Sequence, residues 1–339
     1  MNKIKILKEV LILTLVVILQ LAICNLQFSF AAFEDLGCGA RPLGMGNAFC
    51  GIANDANAFL YNPAGLAQLE KLQVSTMYAN LYPSLSDGSS ITNNFIAVAY
   101  PLPAITNSAA KEGWGTVGFG WFNLGVNSDP RRSNATYKED TYIFSYAKTL
   151  EMFSLGVSVK FHTKEYGQNY WTTLNSVFSK TRNAFGVGID FGLLYKAPDE
   201  KLTLGLQLSD VNQPNIQLSE ISPVPITVRI GVGYKIKSAL DGKFEDIVSA
   251  LDFTYRDKDY KAFAGIEGWL MEKSIGLRFG FGAGNNSFAN ISVGASYQLN
   301  EGMYNNDFRL DYAFVYPLSG LQPTGGTHRI SLTMGFGGK

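Results

Sequence analysis

From Lys71 onward the sequence alternates large apolar and small polar residues with a period of two. Phe153, Leu155, Val157, Val159 and Phe161 alternate with Ser154, Gly156, Ser158, Lys160 and His162. Phe185, Val187, Ile189, Phe191 and Leu193 alternate with Gly186, Gly188, Asp190 and Gly192. The same rhythm sets Ile226, Val228, Ile230, Val232 and Tyr234 against Thr227, Arg229, Gly231 and Gly233, and Ile275, Leu277, Phe279 and Phe281 against Ser274, Gly276, Arg278 and Gly280. Phe308, Leu310, Tyr312, Phe314 and Tyr316 face away from Arg309 and Asp311. Successive side chains of a strand point to opposite faces, so each run reads as an amphipathic strand. Its length matches the about 9–11 residues that cross a bilayer at barrel tilt, and exceeds the five or six residues common in globular strands.

Such runs predict strands near 71–82, 90–101, 114–124, 138–149, 152–164, 183–196, 201–210, 224–237, 244–257, 260–271, 273–284, 287–299, 306–317 and 326–336. That is an even number, as single-chain bacterial barrels require. No longer repeat and no linker interrupts them, so one domain is expected. The side of the sheet that meets solvent decides the class. A soluble sheet would coat its outer face with Lys and Glu. Here the face opposite the large apolar residues is mainly Gly, Ser, Thr and Asn. The chain has 46% hydrophobic, 13% aromatic and only 17% charged residues, where ordinary soluble domains carry about 25% charged. Lipid outside and a small, polar lumen inside satisfy this pattern, and closure removes the unpaired edges that hydrocarbon does not tolerate. Tyr82, Tyr100, Trp114, Tyr137, Tyr195, Trp269, Tyr297 and Tyr316 lie near strand ends, where aromatic girdles form.

The first 31 residues read as a secretory leader. Lys3, Lys5 and Lys8 precede an apolar run from Val10 to Ile23, and Ser29-Phe30-Ala31 offers small residues for cleavage after Ala31 or Ala32. A permanent anchor helix is the competing reading. A lipoprotein reading through Cys24 is poorer, because Ile23 stands where a small residue should precede the cysteine.

Between leader and strands lies a stretch of different character, GCGARPLGMGNAFCGIANDANAFLYNPAGLAQLE, from Gly37 to Glu70. Its glycines prevent a long helix, and Asn62-Pro63-Ala64-Gly65 reads as a turn in which Gly65 can take a positive φ. Compact, turn-rich peptide of this kind can pack against other backbone as a plug must. Gly39 to Phe49, followed by Asn54 to Ala58 (with Asp55) and Asn62 to Leu66, resembles the N-terminal signature of the PorV/PorQ family, which is similar to FadL-type outer-membrane barrels. The resemblance is specific over residues 39–66. It implies a fourteen-stranded barrel closed by a hatch in which Gly44, Met45 and Gly46 permit close packing and Asn62, Pro63, Ala64 and Gly65 shape a turn. The expected fold is therefore an all-β, transmembrane antiparallel β-barrel of about 14 strands, with a leader at 1–31, a plug at 32–70 and a barrel at 71–339.

After the leader two cysteines remain, Cys38 and Cys50, which either pair in an oxidising compartment or stay as small buried hydrophobes. The lumen-facing charges are Lys160, Asp190, Arg229, Asp252, Glu267, Arg278, Arg309, Asp311 and Arg329. Both signs occur in similar number. That mixture fits anchoring of a plug better than a selective ion pore. Asp199-Glu200 and Glu272-Lys273 read as periplasmic turns. Gly125–Tyr137, with the basic tip Asp129-Pro130-Arg131-Arg132, Glu165–Arg182 and Val211–Pro223 read as extracellular loops, the last also suited to folding inward as a constriction. The final strand carries the usual aromatic, Phe336, but Gly337-Gly338-Lys339 follow it.

No catalytic, nucleotide-binding or metal motif occurs, and His162 and His328 read as interfacial polar residues. The formal net charge of zero gives no field for nucleic acid. The expectation is a non-enzyme without cofactor or metal, in the bacterial outer membrane, meeting outer-membrane lipid and the barrel-assembly machinery. Two functions follow from the resemblance. One is FadL-like passive transport of hydrophobic or amphipathic small molecules. The alternative is a PorV-like component or shuttle that binds secreted proteins at the cell surface. The balance favours transport slightly, because the motif also occurs in barrels with no evident secretion partner.

Overall fold

The computed structural model describes residues 33–103, 113–128, 135–239, 243–302, 306–320 and 324–337. The leader, the Asp129–Arg132 loop tip and the last two residues lie outside them. Fourteen strands form: β1 Leu72–Leu81, β2 Ser90–Pro101, β3 Thr116–Asn127, β4 Thr136–Leu150, β5 Phe153–Tyr166, β6 Asn183–Lys196, β7 Leu202–Ser209, β8 Thr227–Ala239, β9 Phe244–Arg256, β10 Asp259–Leu270, β11 Ile275–Gly284, β12 Ala289–Gly302, β13 Asn306–Pro317 and β14 Thr327–Phe336. Each pairs antiparallel with its sequence neighbours, and β1 closes on β14 from Leu72↔Phe336 to Asn80↔His328. Every strand overlaps its expected segment.

The period-two pattern becomes two surfaces. Phe185, Leu251, Leu277, Phe279 and Leu310 are exposed on the outer face, while Asp190, Arg229, Asp252 and Arg278 are buried within. Among the described residues no helix is long and apolar enough to cross a membrane. Strand direction alternates, so connections alternate between two ends. The turns at Asp199-Glu200 and Glu272-Lys273 share one end, and the loops after β5 and β7 share the other, called here the long-loop end.

Among the expected girdle residues Trp269 and Tyr137 face inward, and Tyr82 lines a cavity of the lumen. Trp269 is 8% exposed, because it shares strand parity with Glu267 and donates its indole N–H to that carboxylate at 3.2 Å. Tyr137 shares parity with Glu139 and donates to it. His162 is not interfacial either: it follows Lys160 on the inner face of β5 and is 2% exposed. His328 is on the outer face and bonds Tyr312.

Residues 33–70 lie inside the barrel, and the main apolar core is there. Phe49, Phe59 and Tyr61 pack with Phe95, Ile143 and Phe263 from the wall. This luminal segment contains two short helices, α1 Ala40–Gly44 and α2 Ala58–Tyr61, and a 3-10 helix at Pro63–Gln68. Asn62 caps the last of these, its side-chain oxygen accepting from Ala64 N at 3.1 Å, with Pro63 at the first helical position. Gly65 does not take a positive φ, contrary to expectation. It is glycine for space, since a Cβ there would sit 2.0 Å from the Ala53 carbonyl oxygen.

The wall is incomplete beside β7. β7 is eight residues long and pairs with β6 only over Phe191–Lys196. Past that point the chain turns into the lumen, burying Ile216 and Val224 against Ala184, so the 211–223 loop folds inward. Val211 N donates to Ile189 O at 3.0 Å. Asn212 accepts from Ile189 N at 3.0 Å and donates to Val187 O at 2.7 Å, replacing a missing strand partner. The preceding long loop carries helix α3, Tyr170–Leu174, closed by an Asn169–Thr172 capping box and exposing Tyr170, Trp171 and Leu174.

Candidate functional site

The site is the contact between the luminal segment and the charged inner wall. Its centre is a closed ring of six charges, alternating in sign. Arg41 bonds Asp55 at 2.9 Å and Glu267 at 2.8 Å. Glu267 also holds Arg278 at 2.5 Å, Arg278 reaches Asp311 at 3.2 Å, and Arg309 joins Asp311 at 2.9 Å and Asp55 at 2.7 Å. Two members come from the segment and four from β10, β11 and β13. Every carboxylate therefore has two cations and every guanidinium two anions. That satisfaction is what burial of charge demands. Ser296 on β12 adds hydrogen bonds to Arg278 and Asp311.

A second cluster centres on Arg229 of β8. It pairs with Asp252 at 3.3 Å and with Asp35 of the segment, donates to Asn47 O at 3.0 Å, and lies 5.1 Å over the Tyr61 ring. Asp252 accepts the backbone N–H groups of Phe49 and Cys50, each at 2.9 Å. A third cluster ties the inward loop to the wall. Lys160 bonds Asp190 at 2.9 Å and Asp210 at 2.6 Å, and His162 meets Asp210 at 2.9 Å. Phe33 packs on the His162 ring at 4.6 Å.

Of the nine lumen charges read from sequence, eight enter these clusters. The ninth, Arg329, makes no ion pair among the described residues and donates Nη1 to Leu36 O at 3.2 Å.

The segment's motif residues act through backbone approach. Gly46 has φ +67°, and a Cβ on it would lie 2.5 Å from Phe281 N of the wall. The wall answers with glycines: a Cβ on Gly280 would lie 1.9 Å from Gly46 N, and one on Gly205 2.3 Å from Cys50 O. Gly44 faces Gly294, and Met45 is fully buried with its carbonyl against Gly265. Asn62 donates to Leu193 O of β6 at 3.0 Å, Ala64 lies against Gly156, and Pro63 is buried beside Gly192. The small inner-face residues are thus the footprint of the segment on the wall.

Electrostatics within the segment follow from this packing. Burial alone would raise the Asp55 carboxyl, but the Arg41 and Arg309 guanidiniums override it and hold it down at about 2. Asp35 is lowered, since Arg229 outweighs the opposing effect of its burial. Cys38 and Cys50 are free and buried, so the two thiols do not pair; burial, then the neighbouring Asp35 and Asp252 respectively, pushes both well above the usual thiol range.

Sequence reasoning did not single out Arg41, Asp35 or Asp210. Arg41 is the only cation between residues 37 and 70, which was a usable signal: a lone charge in a small, apolar, enclosed stretch needs a carboxylate.

The family model described as "Type IX secretion system membrane protein PorP/SprF" matches residues 55–334. No curated protein matches the chain. Among solved structures the chain is similar to the CymD monoaromatic hydrocarbon channel, at a TM-score of 0.57 and 11% identity, covering 91% of this chain and 100% of that one. It is also similar to the Pseudomonas putida toluene transporter TodX, at a TM-score of 0.55 and 10% identity, covering 88% of this chain and 97% of the other. These likenesses show the fold, a closed fourteen-stranded barrel like those channels, and with the family they place the protein in the outer membrane. The chain belongs to the PorP/SprF family of type IX secretion system membrane proteins.

Proposed function

We propose that this barrel serves protein secretion as a plugged membrane partner that binds secreted protein at its long-loop end and conducts no solute. The observation that carries this reading is the six-charge ring. It fastens the luminal segment to three wall strands, and moving the segment would strand several buried charges at once, each costing several kcal/mol. The exposed Tyr170, Trp171, Leu174 and Ile221 near the long-loop end give a protein partner aromatic and aliphatic anchors. The family assignment supports the same reading, and the PorV/PorQ-like signature over Gly39–Leu66 refines it. No catalytic role is proposed.

A second reading is passive transport of hydrophobic molecules, with the segment as a movable hatch shaped by Asn62, Pro63 and Gly65. Two observations favour it: the wall is completed by a loop where β7 stops short, and a cavity of about 390 Å³ lies above the segment. CymD is a monoaromatic hydrocarbon channel and TodX a toluene transporter, and their likeness to this chain is one of fold only.

Native mass spectrometry on the protein extracted gently from its own outer membrane tests the choice. A stoichiometric bound protein, lost on Trp171→Ala or Leu174→Ala, is the expected result. A bound hydrophobic small molecule with no protein partner would overturn the secretion reading in favour of transport.

A further inference from the structure

The cavity above the segment contains Arg329, the one of the nine lumen charges read from sequence that the three clusters leave out. Arg329 is 6% exposed and lines it. Its Nη1 is engaged by Leu36 O, while Nε is buried without a partner and Nη2 donates to nothing among the described residues. Two residues earlier on the same inner face of β14, Thr327 is 3% exposed and its hydroxyl also lacks a partner. A buried guanidinium with its Nε/Nη2 edge free, beside a free hydroxyl, is an unmet demand for an acceptor. That edge is the planar fork a carboxylate fits with two parallel bonds.

The rest of the lining sets the ligand's charge and shape. Glu34 and Asp35 also line the cavity, paired with Arg256 and Arg229, and Lys261 lines it paired with Asp259, so Arg329 is the one lining charge without an ion pair among the described residues. A monoanion balances it, and a dianion would meet those two carboxylates. Leu43, Phe263, Phe288 and Val315 supply an apolar wall. The volume of about 390 Å³ equals about a dozen water volumes and lies within the range of small-molecule sites. We propose that this cavity binds a monocarboxylate carried on a compact apolar body, with the carboxylate on Arg329 and Thr327 and the body against Leu43, Phe263 and Val315. A free small acid and the C-terminal residue of a polypeptide both present this chemistry.

The test is calorimetric titration of the full barrel in lipid nanodiscs with 3-phenylpropionate and, separately, its neutral amide. The acid should bind saturably, and the amide should bind at least about tenfold more weakly for loss of a charge-assisted contact. Arg329→Gln should abolish acid binding, and the isosteric Thr327→Val should weaken it several-fold while leaving the fold intact. Val315→Trp, which fills the apolar side, should block binding independently of charge. A short peptide ending in Phe, with free or amidated terminus, separates the sources. Tighter binding of the free-terminus peptide than of phenylpropionate assigns the site to chain ends, and the reverse assigns it to free acids. Equal binding of acid and amide, no binding of any probe to the folded barrel, or full binding by Arg329→Gln would overturn the proposal. None of these outcomes depends on whether a secreted protein docks at the long-loop end.

Discussion

The Arg41 guanidinium of the luminal segment grips the Glu267 carboxylate of β10 through two parallel bonds, Nε to Oε2 and Nη2 to Oε1, each 2.8 Å. The residues are 226 positions apart in sequence. This fork-to-fork geometry is the strongest form of side-chain ion pair, and both partners are almost wholly buried. The pair decides where the segment sits, because four further charges of the ring are placed around it.

Replacing Glu267 with alanine leaves Arg41 and Arg278 each short of one carboxylate inside the barrel. A loss of about 3–5 kcal/mol is expected for breaking a buried ion pair. Removing the exposed pair at Lys273–Asp246 by Lys273→Ala should cost less than about 1 kcal/mol. Guanidinium unfolding of the two variants in nanodiscs, followed by tryptophan fluorescence, measures the contrast. Similar losses for both would show that the ring does not anchor the segment.

Gly280→Val tests the backbone fit. The added Cβ would sit 1.9 Å from Gly46 N, and backbone on both sides cannot yield as a flexible side chain would. The barrel should still assemble, because Gly280 faces inward and Phe279 and Phe281 keep the outer face. The segment should be displaced, so that chymotrypsin cuts near Phe49 and Phe59 in the variant and not in the parent. A protected segment in Gly280→Val would refute the packing.

What the sequence showed and what it hid divide along one physical line. The fourteen strands and the inward charges were legible because side-chain parity is a local property, repeated over a dozen residues. The pairs were hidden because Arg278 meets Glu267 and Asp311 through barrel register, which is set by closure. Where parity was set aside in favour of residue type, the reading failed: Trp269 shares a face with Glu267, and His162 with Lys160. Gly65 misled for a related reason. Its glycine answers to the Ala53 carbonyl, a contact formed only once the segment folds on itself.

The Asp55 carboxyl gives the segment a defined acid response. Its folded-state pKa is depressed from 3.8 to about 2, so its stabilisation is present above 3.8 and lost as pH falls through about 2. Hydrogen exchange of residues 40–66 should be unchanged between pH 7 and pH 5 after correction for intrinsic rates. It should accelerate as pH falls from about 4 towards about 2. Asp55→Asn should remove this step. An acceleration centred near pH 6 would point to a different group.

Cys38 and Cys50 report segment docking without added probes. Both are fully buried, with thiols pushed above their usual range by burial first and neighbouring carboxylates second. Alkylation needs an accessible thiolate. At pH 8 the native barrel should take up no maleimide within an hour and two equivalents in denaturant, with intermediate labelling in Gly280→Val. Rapid labelling of the native protein would contradict the buried position of the segment.

Asn212 bridges the place where β7 ends, and its role separates wall closure from loop anchoring. It supplies one acceptor and one donor to β6, at Ile189 N and Val187 O. Asp210 and Val211 hold the same loop by other bonds, to Lys160, His162 and Ile189 O. Asn212→Ala should therefore leave the loop in place and expose only the β6 edge. The Ile189 amide should exchange faster by the equivalent of about 0.5–1.5 kcal/mol, the usual worth of one hydrogen bond. Amides of β5, which pair with the other edge of β6, should be unaffected. Faster exchange spreading to Ile216 and Val224 would mean that Asn212 anchors the inward loop as well as the wall.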